Sequence, residues 1–297
     1  MNLIAGATGL VGGQICRQLA ASQKPVRALV RHLADASRLD DLRSAGVELA
    51  WGDLKDPASL RAACGGVTAV LSTASSTFSR QPGDSIDAVD RQGQLNLVEA
   101  ARAAGVKHFV YVSFSPIAED FALQRAKRTV EQAIVASGMA YTILRPTYFM
   151  EIWLGQEGGF DVAARRARIY GAGENRMNWI SFASVAEFAV RSLDNPAARN
   201  RILPLGGPEA LSPIDVVRIF EELGGAPFTI EYLVESVLRD GLKAARRPLD
   251  EALAALALGY AHGGVIDTRA ALEAIPVRLV TVREYAQWML TEARAEV

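Results

Sequence analysis

The chain has 297 residues, long enough for one large α/β domain or two ordinary ones. Its 32 Lys plus Arg against 33 Asp plus Glu leave a formal charge of −1, so no overall field favours nucleic acid or an anionic membrane. Half of the residues are hydrophobic and 22% are charged, which excludes a mostly disordered chain; two cysteines exclude a disulfide framework, and three histidines leave little for a metal site. No apolar run reaches the ~20 residues of a membrane span, and the opening Met1-Asn2-Leu3-Ile4-Ala5-Gly6 lacks the basic segment of a secretory signal. The expectation is a cytoplasmic protein with no metal, nucleic-acid or membrane partner.

The first half alternates short apolar runs with helix-period stretches. Strands are expected over 3–7, 26–30, 47–51, 69–72, 109–113 and 141–145. They are near-continuous apolar runs, as expected where helices cover both faces of a parallel sheet. Val11, Ile15 and Leu19 share one helical face after the first strand, and Asp56-Pro57 reads as an N-cap followed by proline at the first helical position. Such alternation predicts a Rossmann-type, doubly wound parallel sheet.

After Pro146 the rhythm breaks. Gly155, Gly158, Gly159, Gly171 and Gly173 punctuate residues 149–177, read as loop-rich. Ser184-Val185-Ala186-Glu187 and Thr281-Val282-Arg283-Glu284 have capping-box spacing and predict helix starts, the second with Val280 and Tyr285 as a hydrophobic staple. A helix is expected from Ser212-Pro213 through Leu223 and a strand over 228–233, followed by helical sequence over 235–261 that Arg246-Arg247-Pro248 interrupts. The expected division is a nucleotide-binding domain over 1–147 and a smaller α+β lobe over 148–297 packed on it at the C-terminal side of the sheet, some of whose elements return to that sheet.

Gly6-Ala7-Thr8-Gly9-Leu10-Val11-Gly12 follows the first strand at once and opens the first helix. Glycines so placed permit a tight turn, close approach of a pyrophosphate and close helix–strand packing, with the helix N-terminus facing the phosphates. The alternative is a tight βα turn without a ligand. The spacing is GxxGxxG.

These residues resemble the short-chain dehydrogenase/reductase superfamily, and within it the atypical NmrA-like and isoflavone-reductase-like branch. The resemblance extends over Gly52-Asp53-Leu54, Tyr111-Val112-Ser113, Lys127-Arg128-Thr129-Val130-Glu131 and the run from Ser137 to Pro146, then thinly to Trp179-Ile180-Ser181-Phe182. It implies NAD(P) across the C-terminal edge of the sheet, touching Gly6, Thr8, Gly9, Leu10, Val11, Gly12, Leu54, Thr73, Ala74, Lys127 and Pro146, with a small-molecule substrate beneath the smaller lobe.

Where NAD-specific relatives carry an acid after the second strand, this chain has Arg31 and then His32, which suit the 2′-phosphate of NADP(H) over NAD(H). The other reading is a solvated strand end. Asp53 either accepts from the adenine amino group or shapes the turn into the next helix.

The usual Tyr-x-x-x-Lys pair is incomplete, since Lys127 is present but Leu123 stands in the tyrosine's place. That matches the atypical branch, in which lysine alone is the candidate. Ala126, Val130, Ala133 and Ser137 are expected to form the helix's buried stripe, with Lys127 at its edge facing either the cleft or Glu131 at i,i+4. Ser113 is either a substrate-orienting hydroxyl or an edge cap. Tyr148 is read as a packed aromatic before a second phenol at the nicotinamide; Phe149, Met150, Trp153, Tyr170, Met177 and Trp179 suit an aromatic-substrate pocket or the lobe's core. Cys16 and Cys64 read as small buried hydrophobes, and Arg165-Arg166-Ala167-Arg168 as a solvated face. The function these readings favour is NADPH-dependent reduction of a small aromatic or quinone-like molecule. The alternative is a non-catalytic NADP(H)-binding sensor, regulator or assembly factor. Either is expected as a monomer or homodimer.

Overall fold

In the computed structural model, which describes residues 1–78 and 81–295, the apolar runs of the first half form a parallel sheet. The strands are β1 (Asn2–Ala5), β2 (Val26–Val30), β3 (Glu48–Trp51), β4 (Ala69–Ser72), β5 (His108–Val112) and β6 (Ala140–Pro146). Residues 6 and 7, expected to extend the first strand, instead form the turn, because Gly6 leaves the extended region at φ +84°. The seven strands run β11-β6-β5-β4-β1-β2-β3, with β11 (Arg201–Leu205) on one edge. The order reverses between β1 and β4, which makes the crevice beyond their C-terminal ends the natural ligand site of such a sheet.

Alternate strand residues point to opposite faces, so the apolar runs build two cores. Ile4, Ala28, Val30, Leu71, Val110 and Leu144 pack against α1 (Leu10–Ala21), α7 (Phe182–Ser192) and α11 (Arg269–Ala274). Leu3, Ala5, Leu29, Val70, Phe109 and Tyr111 pack against α3 (Pro57–Ala63), α4 (Gln94–Ala103) and α5 (Ala122–Ala136). Asp56 caps α3 as expected, its carboxylate accepting from Ala58 N at 2.9 Å, while Asp35 caps α2 (Ala36–Ser44). Both cysteines are buried. A π-helical segment, Ile86–Gly93, leads into α4. Gly93 is required there, since a Cβ would sit 2.8 Å from Leu54 Cβ and 2.8 Å from Ala88 O.

Residues 149–177, expected to be loop-rich, hold β7 (Tyr148–Phe149), a helical turn α6 (Met150–Trp153), β8 (Phe160–Asp161) and β9 (Arg166–Tyr170) before β10 (Met177–Ile180). These pieces are too short for local periodicity to reveal; pairing over long sequence distances creates them. Thus β9 lies between β8 and β13 (Thr229–Leu233), and β10 between β7 and β12 (Ala210–Leu211). Around both small sheets pack α8 (Pro213–Gly224), α10 (Pro248–His262) and α12 (Val282–Ala295), over a core containing Met150, Phe160, Met177, Trp179, Phe220, Tyr260 and Tyr285. Helix α9 (Glu235–Ala244) ends before Arg246-Arg247-Pro248, where the sequence signalled an interruption.

Helix α7 starts earlier than the Ser184 spacing predicts. Ser181 is its N-cap, accepting from Ser184 N at 3.1 Å, and Phe182 N donates to the Glu151 carboxylate at 2.9 Å. Two serines three residues apart compete for the cap, and the one directly after β10 takes it. The Thr281–Glu284 box forms as expected: Thr281 N donates to Glu284 Oε2 at 2.9 Å and Glu284 N to Thr281 Oγ1 at 3.1 Å. The last strand of the main sheet and α7 both come from beyond residue 147, so the second half is interleaved with the first. Residues 296 and 297 of the expected second unit lie outside the described residues. Among the described residues, no helix is long and apolar enough to cross a membrane.

Candidate cofactor and active site

Register brings the site residues to one edge. Ala5 lies opposite Leu29 on one side and Ser72 on the other, so the turns after β1, β2 and β4 open side by side. Thr73 N donates to Ala5 O at 2.9 Å, joining the turn after β4 to the first strand, and Gly9 N donates to Gly6 O at 2.9 Å. A Cβ at Gly6 would meet Ala74 N at 2.8 Å, and one at Gly12 would meet Gly6 O at 2.1 Å, so these glycines close the turn on itself. Gly9 differs: its φ of −83° suits any residue, and a Cβ would meet only Gly6 O at 3.1 Å before open space. The bare face of Gly9 borders the groove. Gly9 is also the N-cap of α1, with no side-chain cap and no acidic residue in the first turn. The first-turn N–H groups and the positive end of the helix dipole are thus free for an anion. Leu10, Leu33 and Trp51, at or just past the ends of β1, β2 and β3, are exposed large apolar side chains suited to the apolar faces of a nucleotide. The cradle fits a dinucleotide.

Arg31 does not stand as a solvated strand end. Its guanidinium meets Asp84 Oδ2 at 2.6 Å, and Lys55 holds the other oxygen of that carboxylate. The Asp84 side chain is 1% exposed; burial would raise its pKa, but bonds from Lys55, Gln81 N and Arg31 together hold it below the usual carboxylate range. His32 stacks flat on Trp51, centroids 5.1 Å apart and planes 2° apart. Asp53 shapes the turn, accepting from Lys55 N at 2.8 Å with Oδ1 while Oδ2 lies 3.5 Å from Lys55 Nζ. Leu54 is buried against Gly93, Thr8 gives its carbonyl to Arg38, and the Pro146 carbonyl accepts from Ser115 N at 2.8 Å. Val11 packs on the core beneath the turn.

The expected stripe of α5 is rotated. Leu123, Ala126, Lys127, Val130, Glu131 and Ile134 are the buried positions, whereas Ala133 and Ser137 are only half-buried. Lys127 is therefore inside, at 5% exposure, and its partner is not Glu131. Its Nζ lies 3.7 Å from Asp90 Oδ1 and 5.1 Å from the centre of the Tyr111 ring. Burial lowers the Lys127 pKa, and Asp90 opposes that shift. Asp90 is itself fully buried on the π-helical segment, its Oδ2 accepting from Ser76 N at 3.0 Å and Ser76 Oγ at 2.6 Å. Burying two charges costs several kcal/mol per ion before their attraction returns it, and functional sites are where such arrangements concentrate. π-Helical turns concentrate there too.

Glu131 instead ties Arg128 to Arg145. Burial would raise its carboxyl, but the Arg145 bond, Ser113 and Arg128 hold it low. Arg128 also donates to Ser113 Oγ at 3.1 Å and Phe114 O at 2.7 Å, so Ser113 is held by this network at the end of β5. In the lobe, Tyr148 and Trp153 stand edge to face, centroids 5.5 Å apart, with Tyr260 and Tyr170 beside them. Met150, Met177 and Trp179 are lobe core, while Phe149 turns away to pack on Phe182 at 4.6 Å.

Sequence reading missed Asp90, Asp84 and Lys55. Only Asp90 left a signal, as an acid on the apolar stripe Ile86, Val89, Gly93, Leu97.

A family described as NAD(P)H-binding matches residues 6–196. The NAD(P)H azoreductase of Xenophilus azovorans is 32% identical over 97% of each chain. The photosystem II assembly factor Ycf39 of Trieres chinensis is 31% identical over 75% of this chain and 69% of that protein. In fold, the triphenylmethane reductase of Citrobacter sp., solved with NADP(H), superposes with a TM-score of 0.78 at 22% identity, covering 98% of this chain and 100% of that one. The chain therefore belongs to the NAD(P)H-binding family, and over its whole length it is similar to an NAD(P)H azoreductase.

Proposed function

We propose that this protein is an NADPH-dependent reductase of a small, uncharged aromatic or quinone-like molecule. The observation that carries the reading is the buried Lys127–Asp90 pair beside the dinucleotide edge. A binding-only protein has no need of an ammonium sunk to 5% exposure next to Ser76 and Tyr111. Bound NADPH supplies a hydride. The chain supplies the rest: the Gly6–Gly12 turn receives the diphosphate, Arg31 with His32 receives the 2′-phosphate end, and Thr73 and Ala74 line the path between. Lys127, directly or through a water, provides the proton that balances hydride addition, and Asp90 keeps its Nζ in place. Tyr148 and Trp153 offer apolar ring faces to a flat substrate, and holding both reactants side by side supplies rate through orientation.

Whole-length similarity supports the enzyme: the azoreductase match spans the lobe as well as the sheet domain, whereas the Ycf39 match covers three quarters of the chain. The second reading, an NADP(H)-binding regulator or assembly factor, has Leu123 in its favour, since it replaces the proton-donating tyrosine. The deciding experiment is optical: NADPH oxidation across a panel of quinones, enones, azo dyes and lignan-type ethers. Turnover of any establishes the reductase. Tight NADPH binding with no turnover of any would select the second reading.

A further inference from the structure

Two cations and two carboxylates meet beside the end of β2. Asp84 Oδ2 holds Arg31 at 2.6 Å, Asp84 Oδ1 holds Lys55, and Lys55 Nζ also lies 3.5 Å from Asp53 Oδ2. The Asp84 side chain is almost fully covered, at 1% exposure, while Arg31 and Lys55 remain 25% and 28% exposed. Gln81 N donates to Asp84 Oδ2 at 2.8 Å, which fixes the carboxylate from its own loop. The arrangement is that of an anion seated between two basic side chains. A phosphate asks for the same two partners.

We infer that Asp84 is a specificity-determining residue that occupies, with its own carboxylate, the charge that the 2′-phosphate of NADPH would claim on Arg31 and Lys55. The inference rests on the reading of Arg31 given above. The two cations are already compensated by Asp84 and Asp53, so a 2′-phosphate gains less here than at an unpaired arginine. It must displace Asp84 or share the cations with a negative neighbour. NADH brings only a 2′-hydroxyl and meets no such competition. Asp84 therefore narrows the gap between the cofactors, and the chain accepts NADH more readily than Arg31 alone would allow.

The test is binding, followed by the fluorescence of each reduced cofactor, with adenosine 2′,5′-bisphosphate as a competing probe. Asp84→Asn and Asp84→Ser should tighten NADPH and the bisphosphate by about 5- to 10-fold, the worth of one removed like charge at a partly exposed site, and leave NADH within about 2-fold. Asp84→Glu, which keeps the charge, should stay near the parent. Unchanged NADH affinity in each variant certifies that the site is folded. If both neutral variants bind NADPH no better than the parent while Arg31→Ala still loses NADPH selectively, Asp84 does not compete and this inference is overturned. If Arg31→Ala weakens the two cofactors equally, the reading of Arg31 fails first, and the inference with it.

Discussion

Lys127 Nζ lies 3.7 Å from Asp90 Oδ1, with the two side chains 6% and 0% exposed. A surface lysine paired along a helix contributes at most ~0.5 kcal/mol. A buried pair is different, because removing one partner strands the other charge away from water, at a cost of ~3–5 kcal/mol. Lys127→Ala should therefore destabilise the protein by several times the surface value, and adding Asp90→Asn should recover part of the loss. Denaturant unfolding of the two single variants and the double variant measures the coupling; additivity within ~0.5 kcal/mol would mean that the two charges do not interact. On a confirmed substrate, Lys127→Ala that remains folded should lose about 10²-fold or more in turnover. Near-parental turnover would remove Lys127 from the chemistry.

Gly9→Val should fold and fail to bind cofactor. The backbone of Gly9 has φ −83° and its Cβ direction is open beyond Gly6 O, so the fold tolerates the side chain. The branched carbons then stand where a diphosphate would approach the first turn of α1. Gly12→Val should instead fail to fold, because its Cβ would lie 2.1 Å from Gly6 O. Thermal unfolding and NADPH titration separate the two outcomes. A Gly9→Val protein that binds NADPH like the parent would show that the turn does not cradle phosphate.

Arg31→Ala should weaken NADPH and leave NADH nearly unchanged. A charge-assisted bond worth ~1.5–3 kcal/mol corresponds to about 10- to 150-fold, and the existing Asp84 partner places the expected loss at the lower end. The preference should shrink as salt rises, since Arg31 is partly open to solvent. Parallel titrations of both cofactors at two ionic strengths check this. A parent that prefers NADH would refute it.

Between about pH 4.5 and 6.5, two buried groups should make opposing contributions to stability. His108 is buried against Thr142, and burial lowers its pKa to about 4. The unfolded chain takes up that proton first, so this contribution is lost as pH falls from 6.5 towards 4. Glu151 has its pKa raised to about 7 by burial, so the folded chain holds its proton longer. That contribution is present in acid and lost as pH rises from 4.5 through 7. Each shift is worth a few kcal/mol, on the order of 1.4 kcal/mol per unit. Glu151→Gln removes the second slope, so the variant should lose more stability on acidification than the parent does. Parallel slopes for the two proteins, in urea melts at pH 4.5 and 6.5, would contradict the assignment.

Local signals were sufficient where the chain folds on local terms. The glycine turn, β2 and β4, the Asp56 cap and the Thr281–Glu284 box follow from neighbouring residues, and all were legible. The lobe was not, because β8 and β9 exist through pairing with each other and with a strand some sixty residues on, as in Thr229 opposite Arg166. In the site, Lys127 was legible as a position but not as an environment. Its burial depends on Asp90, which the π-helical segment leading into α4 presents beside α5 and which lies thirty-seven residues away in sequence. Arg31 was legible as a cation, and Asp84, fifty-three residues away, was not legible as its partner.

The interleaving of the two halves has a mechanical consequence. The chain leaves the main sheet after Pro146, returns through α7 and β11, leaves for β12 and α8, and returns again at α11 before ending in α12. A lobe stitched to its base by so many crossings has no single pivot about which to swing. Opening between lobe and base would then have to come from small sliding of packed helices rather than from a swing about one hinge.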